Sequence, residues 1–293
     1  MIRCLASEAG RDWSIYHGDC VEVLKQLPDD SLDMAVYSPP FANLYTYSDT
    51  PRDMGNCNDD EQFYTHYRHL VVELLRTLRP GRLAAVHCSD LPSFKYKHGE
   101  VGLRDFSGEL IRIHCESGFV YHSRITVWKC PVTEMQRTKA LGLLYKQIKK
   151  DSTRSRVGMP DYVLIFRKGC EAAVVPVEQR PAAFPVEQWQ EWASPVWMDI
   201  DQTDVLNVRR AREPDDERHM CPLQLGLIER LITLYSNPGE VVLSPFTGVG
   251  SEGVGALRLD RKFIGVELKE SYFTRAAINL AREEGAEQIK LFG

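Results

Sequence analysis

Short apolar runs alternate with longer amphipathic stretches through most of this chain. "WSIYHGDC" (13–20) alternates apolar and polar positions and stops at Gly18-Asp19, which predicts a strand. "CVEVLKQLPDDS" then predicts a short helix closed by Pro28, and "LDMAVYSPP" a second strand ended by two prolines. "DEQFYTHYRHLVVELLRTLRPG" has apolar residues at helical spacing and predicts a helix stopped at Pro80-Gly81. "RLAAVHC" predicts a strand, "DFSGELIRIHCESGF" a helix ended by Gly118, and "VYHSRITVWKC" and "PDYVLIFRK" two further strands. Towards the C-terminus, "CPLQLGLIERLITLYSNPGE" predicts a helix and "VVLSPF" a strand. "TGVGSEGVGALRLDR" reads as a glycine turn into a helix, "KFIGVEL" as a strand and "KESYFTRAAINLARE" as a last helix. Strands alternating with helices predict an α/β sheet covered on both faces. No internal repeat interrupts the pattern.

Two stretches break it. The polar, aromatic run "NLYTYSDTPRDMGNCNDD" (43–60) is too long for a simple connection, and such loops are usually functional. "CEAAVVPVEQRPAAFPVEQWQEWASPVWMDID" reads as a linker, with its three tryptophans as anchors onto the main body.

The chemistry concentrates at strand ends. In "SPFTGVGSEG", Gly248, Gly250 and Gly253 follow a strand and open a helix, and Glu267 ends the next strand 19 residues after Gly248. That spacing fits a nucleotide site: glycines admit the ligand to the backbone, the helix offers free N–H groups, and an acid reaches ribose hydroxyls. Too few residues follow Glu267 for the usual nicotinamide-binding domain, so the remaining strands precede this unit and the sheet is circularly permuted. "SPPF" after the second strand makes a rigid corner with few donors, a hydroxyl on one side and a ring on the other.

Composition narrows the class. The chain has 293 residues, 43% of them hydrophobic and 26% charged, enough for a substantial core in a soluble domain. No apolar run is long enough to cross a bilayer, and the first residues lack an apolar signal core, so a cytoplasmic location is expected. The eight cysteines form no C-x-x-C pair, and His66 and His69 lack neighbouring ligands, so neither a disulfide framework nor a metal is expected. The formal net charge is −5, but residues 137–168 hold nine basic residues against two acidic ones, which leaves the rest at −12. That asymmetry points to one face that binds a polyanion, although a basic run is often only a solvated surface.

"SPPF" upstream and "SPFTGVG" about 200 residues downstream together resemble the S-adenosylmethionine-dependent DNA amino-methyltransferases (adenine N6 and cytosine N4) of the permuted β arrangement. "EMQRTKALGLLYKQIKKDSTRSRVGMPDYVL", "WASPVWMDIDQTDVLN" and "HMCPLQLGLIERLI" are similar to solitary phage and prophage enzymes. The resemblance implies a Rossmann-like, mostly parallel sheet with one antiparallel hairpin strand, circularly permuted, with helices on both faces. It divides the chain into a catalytic half (1–136), a DNA-contacting target-recognition insert and linker (137–215, with a sheet strand near 161–168), and a cofactor-binding half (216–293).

Position by position, the resemblance gives Ser38, Pro39, Pro40 and Phe41 the catalytic role of holding a flipped base. It gives cofactor binding to Asp19 (near the adenine), to Cys221, Pro222 and Leu223, to the loop Ser244, Pro245, Phe246, Thr247, Gly248 and Gly250, and to Glu267 (the ribose acid). Ser244 stands where the family usually has Asp, so Asp19 or another acid is the expected substitute at the methionine amino group. DNA contacts are expected from Arg137, Lys139, Lys146, Lys149, Lys150, Arg154 and Arg156, with 146, 149 and 150 on one helical face. Double-stranded DNA and a second copy in a homodimer are the implied partners, in a restriction-modification or orphan setting. The expected base is adenine, with cytosine N4 as the alternative. More distant readings are a catalytically dead DNA-binding protein and a protein or RNA methyltransferase.

The tetrad's chemistry follows from the amine. Its lone pair is conjugated with the ring, so acceptors at the Ser38 oxygen and Pro39 carbonyl localise electron density on nitrogen, and Phe41 stacks on the extruded ring. Catalysis is then mainly alignment and desolvation. A serine is too weak a base to take the proton before attack, and water is the expected acceptor afterwards.

Overall fold

The computed structural model describes residues 2–41, 54–57, 59–93, 95, 99, 101–138, 142, 145–150, 153, 155–169, 176–177, 184–207 and 222–292. Most of the long loop at 43–60, together with Lys139, Arg154 and Cys221, lies outside them, as does the side chain of Arg137.

The strands are β1 (Ala6–Ala9), β2 (Trp13–His17), β3 (Leu32–Tyr37), β4 (Leu78–Cys88), β5 (Leu91–Ser93), β6 (Gly102–Arg104), β7 (Phe119–Val127), β8 (Asp161–Lys168), β9 (Val196–Trp197), β10 (Val241–Ser244) and β11 (Lys262–Glu267). Among the described residues, nine of them form one sheet in the order β1-β2-β11-β10-β3-β4-β8-β7-β9. From β2 to β4 the neighbours are parallel, and β4, β8 and β7 then pair antiparallel. The two strands nearest the C-terminus, β10 and β11, lie between β2 and β3, so the expected permutation is present.

The helices are α1 (Cys20–Leu24), α2 (Asp60–Thr77), α3 (Phe106–Glu116), α4 (Pro131–Thr138), α5 (Tyr145–Ile148), α6 (Val186–Trp192), α7 (Leu225–Tyr235), α8 (Ser251–Arg258) and α9 (Glu270–Phe292). Three begin on aspartates whose carboxylates accept a backbone N–H of the first turn: Asp19 from Glu22, Asp59 from Gln62 and Asp105 from Gly108. Helical spacing puts Phe63, Tyr67, Leu70, Val71 and Leu74 of α2 on one buried stripe.

Strand β3 is buried on both faces. Ala35 and Tyr37 enter a core with residues of α1, α2 and α3, whereas Met34 and Val36 enter a second core with residues of α7, α8 and α9. Those two cores put helices on both faces of the sheet.

Four sequence expectations change. The α2 helix ends at Thr77, and Pro80-Gly81 lies inside β4. There the register jumps from Leu32↔Leu78 to Met34↔Leu83, so β4 carries extra residues, with Gly81 at φ 79°. Among the described residues, the run "ALGLLYKQIKK" shows the four-residue α5, with Lys149 and Lys150 in the turn after it instead of on a shared helical face. The linker contributes α6 and the edge strand β9, and of its tryptophans Trp197 is buried while Trp189 is exposed. Finally, β1 and the β5–β6 hairpin carried no apolar signal in the sequence.

Candidate active site

The parallel sheet brings the motifs together in a row at its carboxyl edge. His17 of β2 pairs with Glu267 of β11, and the Gly18 N–H donates to the Glu267 carbonyl at 3.0 Å, so Asp19 and Glu267 leave adjacent strands. Ser244 ends β10 beside Gly265 of β11. On the other side of β10, Val242 and Leu243 pair with Met34 and Ala35 of β3, so the chain after Ser244 and the chain after Tyr37 emerge side by side. Their rings meet, Tyr37 against Phe246 at 5.9 Å. From β10 the chain steps to β11 on one side, and from β3 to β4 on the other. This is a topological switch point, where open α/β sheets bind their ligands.

At the glycine loop, Thr247 is buried, with its N–H on the Val266 carbonyl (2.9 Å) and its hydroxyl donating to the Ser244 carbonyl (3.2 Å). Gly248 and Gly250 take positive φ, 54° and 93°, and a Cβ on Gly248 would project into open space. A Cβ on Gly253 would come within 2.5 Å of Leu280, so that glycine serves helix packing. The Glu267 carboxylate accepts the N–H of Gly248 (2.7 Å) and of Lys269 (2.9 Å). The hydroxyls of Ser244 and Ser251 are buried without a hydrogen-bond partner among the described residues. An open cradle at Gly248 flanked by buried, unsatisfied hydroxyls suits a polar ligand. Glu252, one residue into α8, is 4% exposed, and burial together with the negative charge of Glu267 pushes its carboxyl up to about 8.

In the tetrad, Pro39 and Pro40 are buried while Ser38 and Phe41 are half-buried. The prolines anchor the corner, and its serine and phenylalanine are the two residues left partly exposed. Phe41 packs edge-on against Phe106, with centroids at 6.0 Å. Ser38 Oγ lies 3.1 Å from His87 Nδ1 near the end of β4, and His87 Nε2 lies 2.9 Å from Asp161 Oδ2 at the start of β8. Lys129 Nζ forms an ion pair with the same carboxylate oxygen. Burial would raise the Asp161 carboxyl, but His87 and Lys129 hold it well below the usual carboxylate range. Its other oxygen, Oδ1, is buried without a partner among the described residues.

Beneath the tetrad, the Tyr37 hydroxyl lies 2.9 Å from that of Tyr67 and 3.4 Å from His114 Nε2. His114 Nδ1 donates to the Leu110 carbonyl (2.8 Å), and burial pushes this histidine down to about 3.

The remaining sequence-predicted residues are placed less centrally. Pro222 and Leu223 precede α7, and Leu223 is buried in the second core. Lys146, Lys149 and Lys150 are exposed, with Lys149 Nζ 4.5 Å from the Tyr145 ring centre. The Arg156 guanidinium pairs with buried Glu134 at 2.9 Å. His87, Asp161, Lys129 and Glu252 escaped the sequence reading. The first two carry the signal that singled out Asp19 and Glu267, a polar side chain at a strand end.

A family model described as DNA methylase, of the N6/N4 methyltransferase type, matches residues 32–279. The chain is 25% identical over 282 residues to the DNA adenine methyltransferase YhdJ of Escherichia coli K12, covering 94% of this chain and 86% of that protein. Among solved structures it resembles TTHA0409 of Thermus thermophilus, described as a DNA modification methylase complexed with S-adenosyl-L-methionine. The TM-score there is 0.69 at 24% identity, over 92% of this chain and 93% of that one. It also resembles the cytosine-N4-specific PvuII DNA methyltransferase, with a TM-score of 0.66 at 20% identity over 92% and 87% of the two chains. These two likenesses agree with the permuted sheet described above. With the family model spanning the strand ends from β3 through β11, the chain belongs to the N6/N4 DNA methylase family.

Proposed function

We propose that this protein uses S-adenosylmethionine to methylate the exocyclic amine of a base flipped from double-stranded DNA, adenine N6 in the first instance. The observation that carries the reading is the row of strand ends, which puts the Ser38-Pro39-Pro40-Phe41 corner beside the glycine cradle and Glu267. S-adenosylmethionine supplies a methyl group already activated on a sulfonium. Glu267 is the residue for the ribose hydroxyls, Asp19 stands at the adenine end, and the Gly248 turn admits the ligand to the backbone. The Ser244 and Ser251 hydroxyls, without a partner among the described residues, are the polar groups for the methionine end. Ser38 and the Pro39 carbonyl accept hydrogen bonds from the target amine, and Phe41 stacks on the base.

Residues 137–215 serve as the DNA-contacting insert, with exposed Lys146, Lys149 and Lys150 toward phosphates. A homodimer acting on DNA in the cytoplasm completes the reading. No described helix is long and apolar enough to cross a membrane.

Adenine is favoured by the likeness to YhdJ along 94% of the chain. Cytosine N4 is the second reading, favoured by the Ser-Pro-Pro corner and by the likeness to a cytosine-N4-specific enzyme. The test is expression in a host lacking DNA methylation, digestion of its DNA to nucleosides and mass spectrometry. N6-methyladenine is expected, and N4-methylcytosine would reassign the base. Neither mark, from a protein that binds S-adenosylmethionine, would overturn the enzymatic reading.

A further inference from the structure

Water is the simplest destination for the proton that the target amine must shed, but the structure offers a nearer one. Ser38, His87, Asp161 and Lys129 form an unbroken chain from the tetrad into the sheet. The side chains of His87 and Asp161 are 9% and 2% exposed. Polar groups buried this deeply are costly unless they are fully engaged.

The chain has a direction. Asp161, held ionised by Lys129, only accepts, so His87 carries its proton on Nε2. Nδ1 of the neutral ring is then an acceptor, and Ser38 donates to it. The serine oxygen keeps its lone pairs for an incoming N–H.

We propose that His87 is the proton-accepting and positioning residue of the methyl transfer, acting through Ser38 and oriented by Asp161. This rests on the reading of Ser38 as the residue that faces the target amine. In the step, the amine nitrogen bonds to the methyl carbon, and the carbon–sulfur bond breaks with its electron pair passing to sulfur. The positive charge passes to nitrogen. The N–H proton moves to Ser38 Oγ as the Ser38 hydroxyl proton moves to His87 Nδ1. The products are a neutral methylamino base, a neutral serine, and an imidazolium paired with the Asp161 carboxylate. The proton leaves to solvent after the product departs. Among the described residues, Asp161 is hydrogen-bonded to the imidazole and paired with Lys129, while Asp161, Asp90, Arg124 and Asp105 bear on the neighbouring Cys88. Lys129 keeps Asp161 from taking the imidazole proton itself.

The experiment compares the parent with His87→Ala, His87→Asn and Ser38→Ala. Single-turnover transfer of a tritiated methyl group to unmethylated plasmid DNA is followed across pH, and cofactor affinity is measured by calorimetry. Asn at 87 still accepts from the serine hydroxyl but takes no proton. Both His87 variants are expected to lose roughly 100-fold in rate, the scale of a general base, with cofactor affinity unchanged. The acid limb of the parent's pH profile is expected to vanish in His87→Asn. Nitrogen-15 spectra of histidine-labelled parent protein are expected to show neutral His87 protonated on Nε2. Full rate with an unchanged pH profile in His87→Asn, or a parent His87 protonated on Nδ1, would overturn the relay. Loss of activity in Ser38→Ala beside a fully active His87→Asn sinks the relay alone. Full activity in Ser38→Ala sinks the reading of the tetrad beneath it.

Discussion

The carboxylate of Glu267, at the end of β11, accepts the backbone N–H of Gly248 at 2.7 Å, in the turn that leaves β10. One acid thus fixes the glycine turn and stands where ribose hydroxyls would arrive. Glu267→Ala should weaken S-adenosylmethionine binding by about 1.5–3 kcal/mol, the range of a charge-assisted hydrogen bond. Titration calorimetry reads the affinity, and amide exchange at Gly248 reads the turn. Unchanged affinity with a loosened turn would reduce Glu267 to scaffold.

His114 should make the fold acid-sensitive. Its folded value is about 3 against 6.5 for the free side chain. The unfolded chain therefore binds a proton that the folded one refuses. Stability rises with pH across that window, by at most about 1.4 kcal/mol per pH unit, and is lost as pH falls below 6.5. His114→Gln removes the titrating group, so denaturant melts of this variant should show a flatter slope between pH 3 and 6.5, whatever the loss from the Phe166 stack at 3.8 Å.

Glu252 should act with the opposite sign. Its carboxyl rises from 4.5 to about 8 on folding. Its contribution is full below pH 4.5 and is lost as pH rises toward 8. Glu252→Gln copies the protonated form, so the variant should melt above the parent at alkaline pH and level with it in acid. Between pH 4.5 and 6.5 the Glu252 and His114 slopes oppose each other, so only variant-minus-parent differences isolate either group. An alkaline melt of Glu252→Gln no higher than the parent's would refute this account.

Lys146, Lys149 and Lys150 changed together to Ala should weaken DNA binding across all sequences. The salt slope should fall by about 0.9 for each phosphate that is no longer neutralised, with cofactor affinity unchanged. Arg156 is a different case, because its ion pair with Glu134 joins the segment near Met159 to α4. Arg156→Ala should therefore lower the melting temperature as well as any DNA affinity. Retention of both affinity and slope in the triple variant would place the DNA-contacting face elsewhere.

The alternation of strand and helix was legible because β3 and its neighbours bury continuous apolar runs between polar ends. β1 was not, because all four of its residues are exposed and carry no apolar pattern. Pro80-Gly81 misled because the pair marks a helix stop locally, whereas here it makes a bulge that the paired strands tolerate. The cofactor loop and the tetrad were legible because glycine and proline write backbone requirements directly into sequence. The contact between His87 and Asp161 was not, since 74 residues separate them and only the β4–β8 pairing brings them together. Glu252 was hidden by its setting, because a glutamate in a helix's first turn ordinarily reads as an exposed partner of the helix dipole.

The permuted sheet also bears on how the molecule is made. β10 and β11 are synthesised after every other described strand, yet they occupy the gap between β2 and β3. A nascent chain that has reached Glu240 holds the tetrad corner and the His87 strand, but β2 and β3 have no partner to join them. Two strand edges stay open, and the face that α8 and α9 cover stays incomplete, until the chain beyond Glu240 leaves the ribosome. Closing the sheet is therefore a late event joining parts of the chain far apart in sequence, a topology that folds slowly and exposes sticky edges meanwhile. Translation stalled before Val241 should leave a protease-sensitive, aggregation-prone fragment, so the cradle for the small ligand and the competence of the whole fold arrive in the same segment.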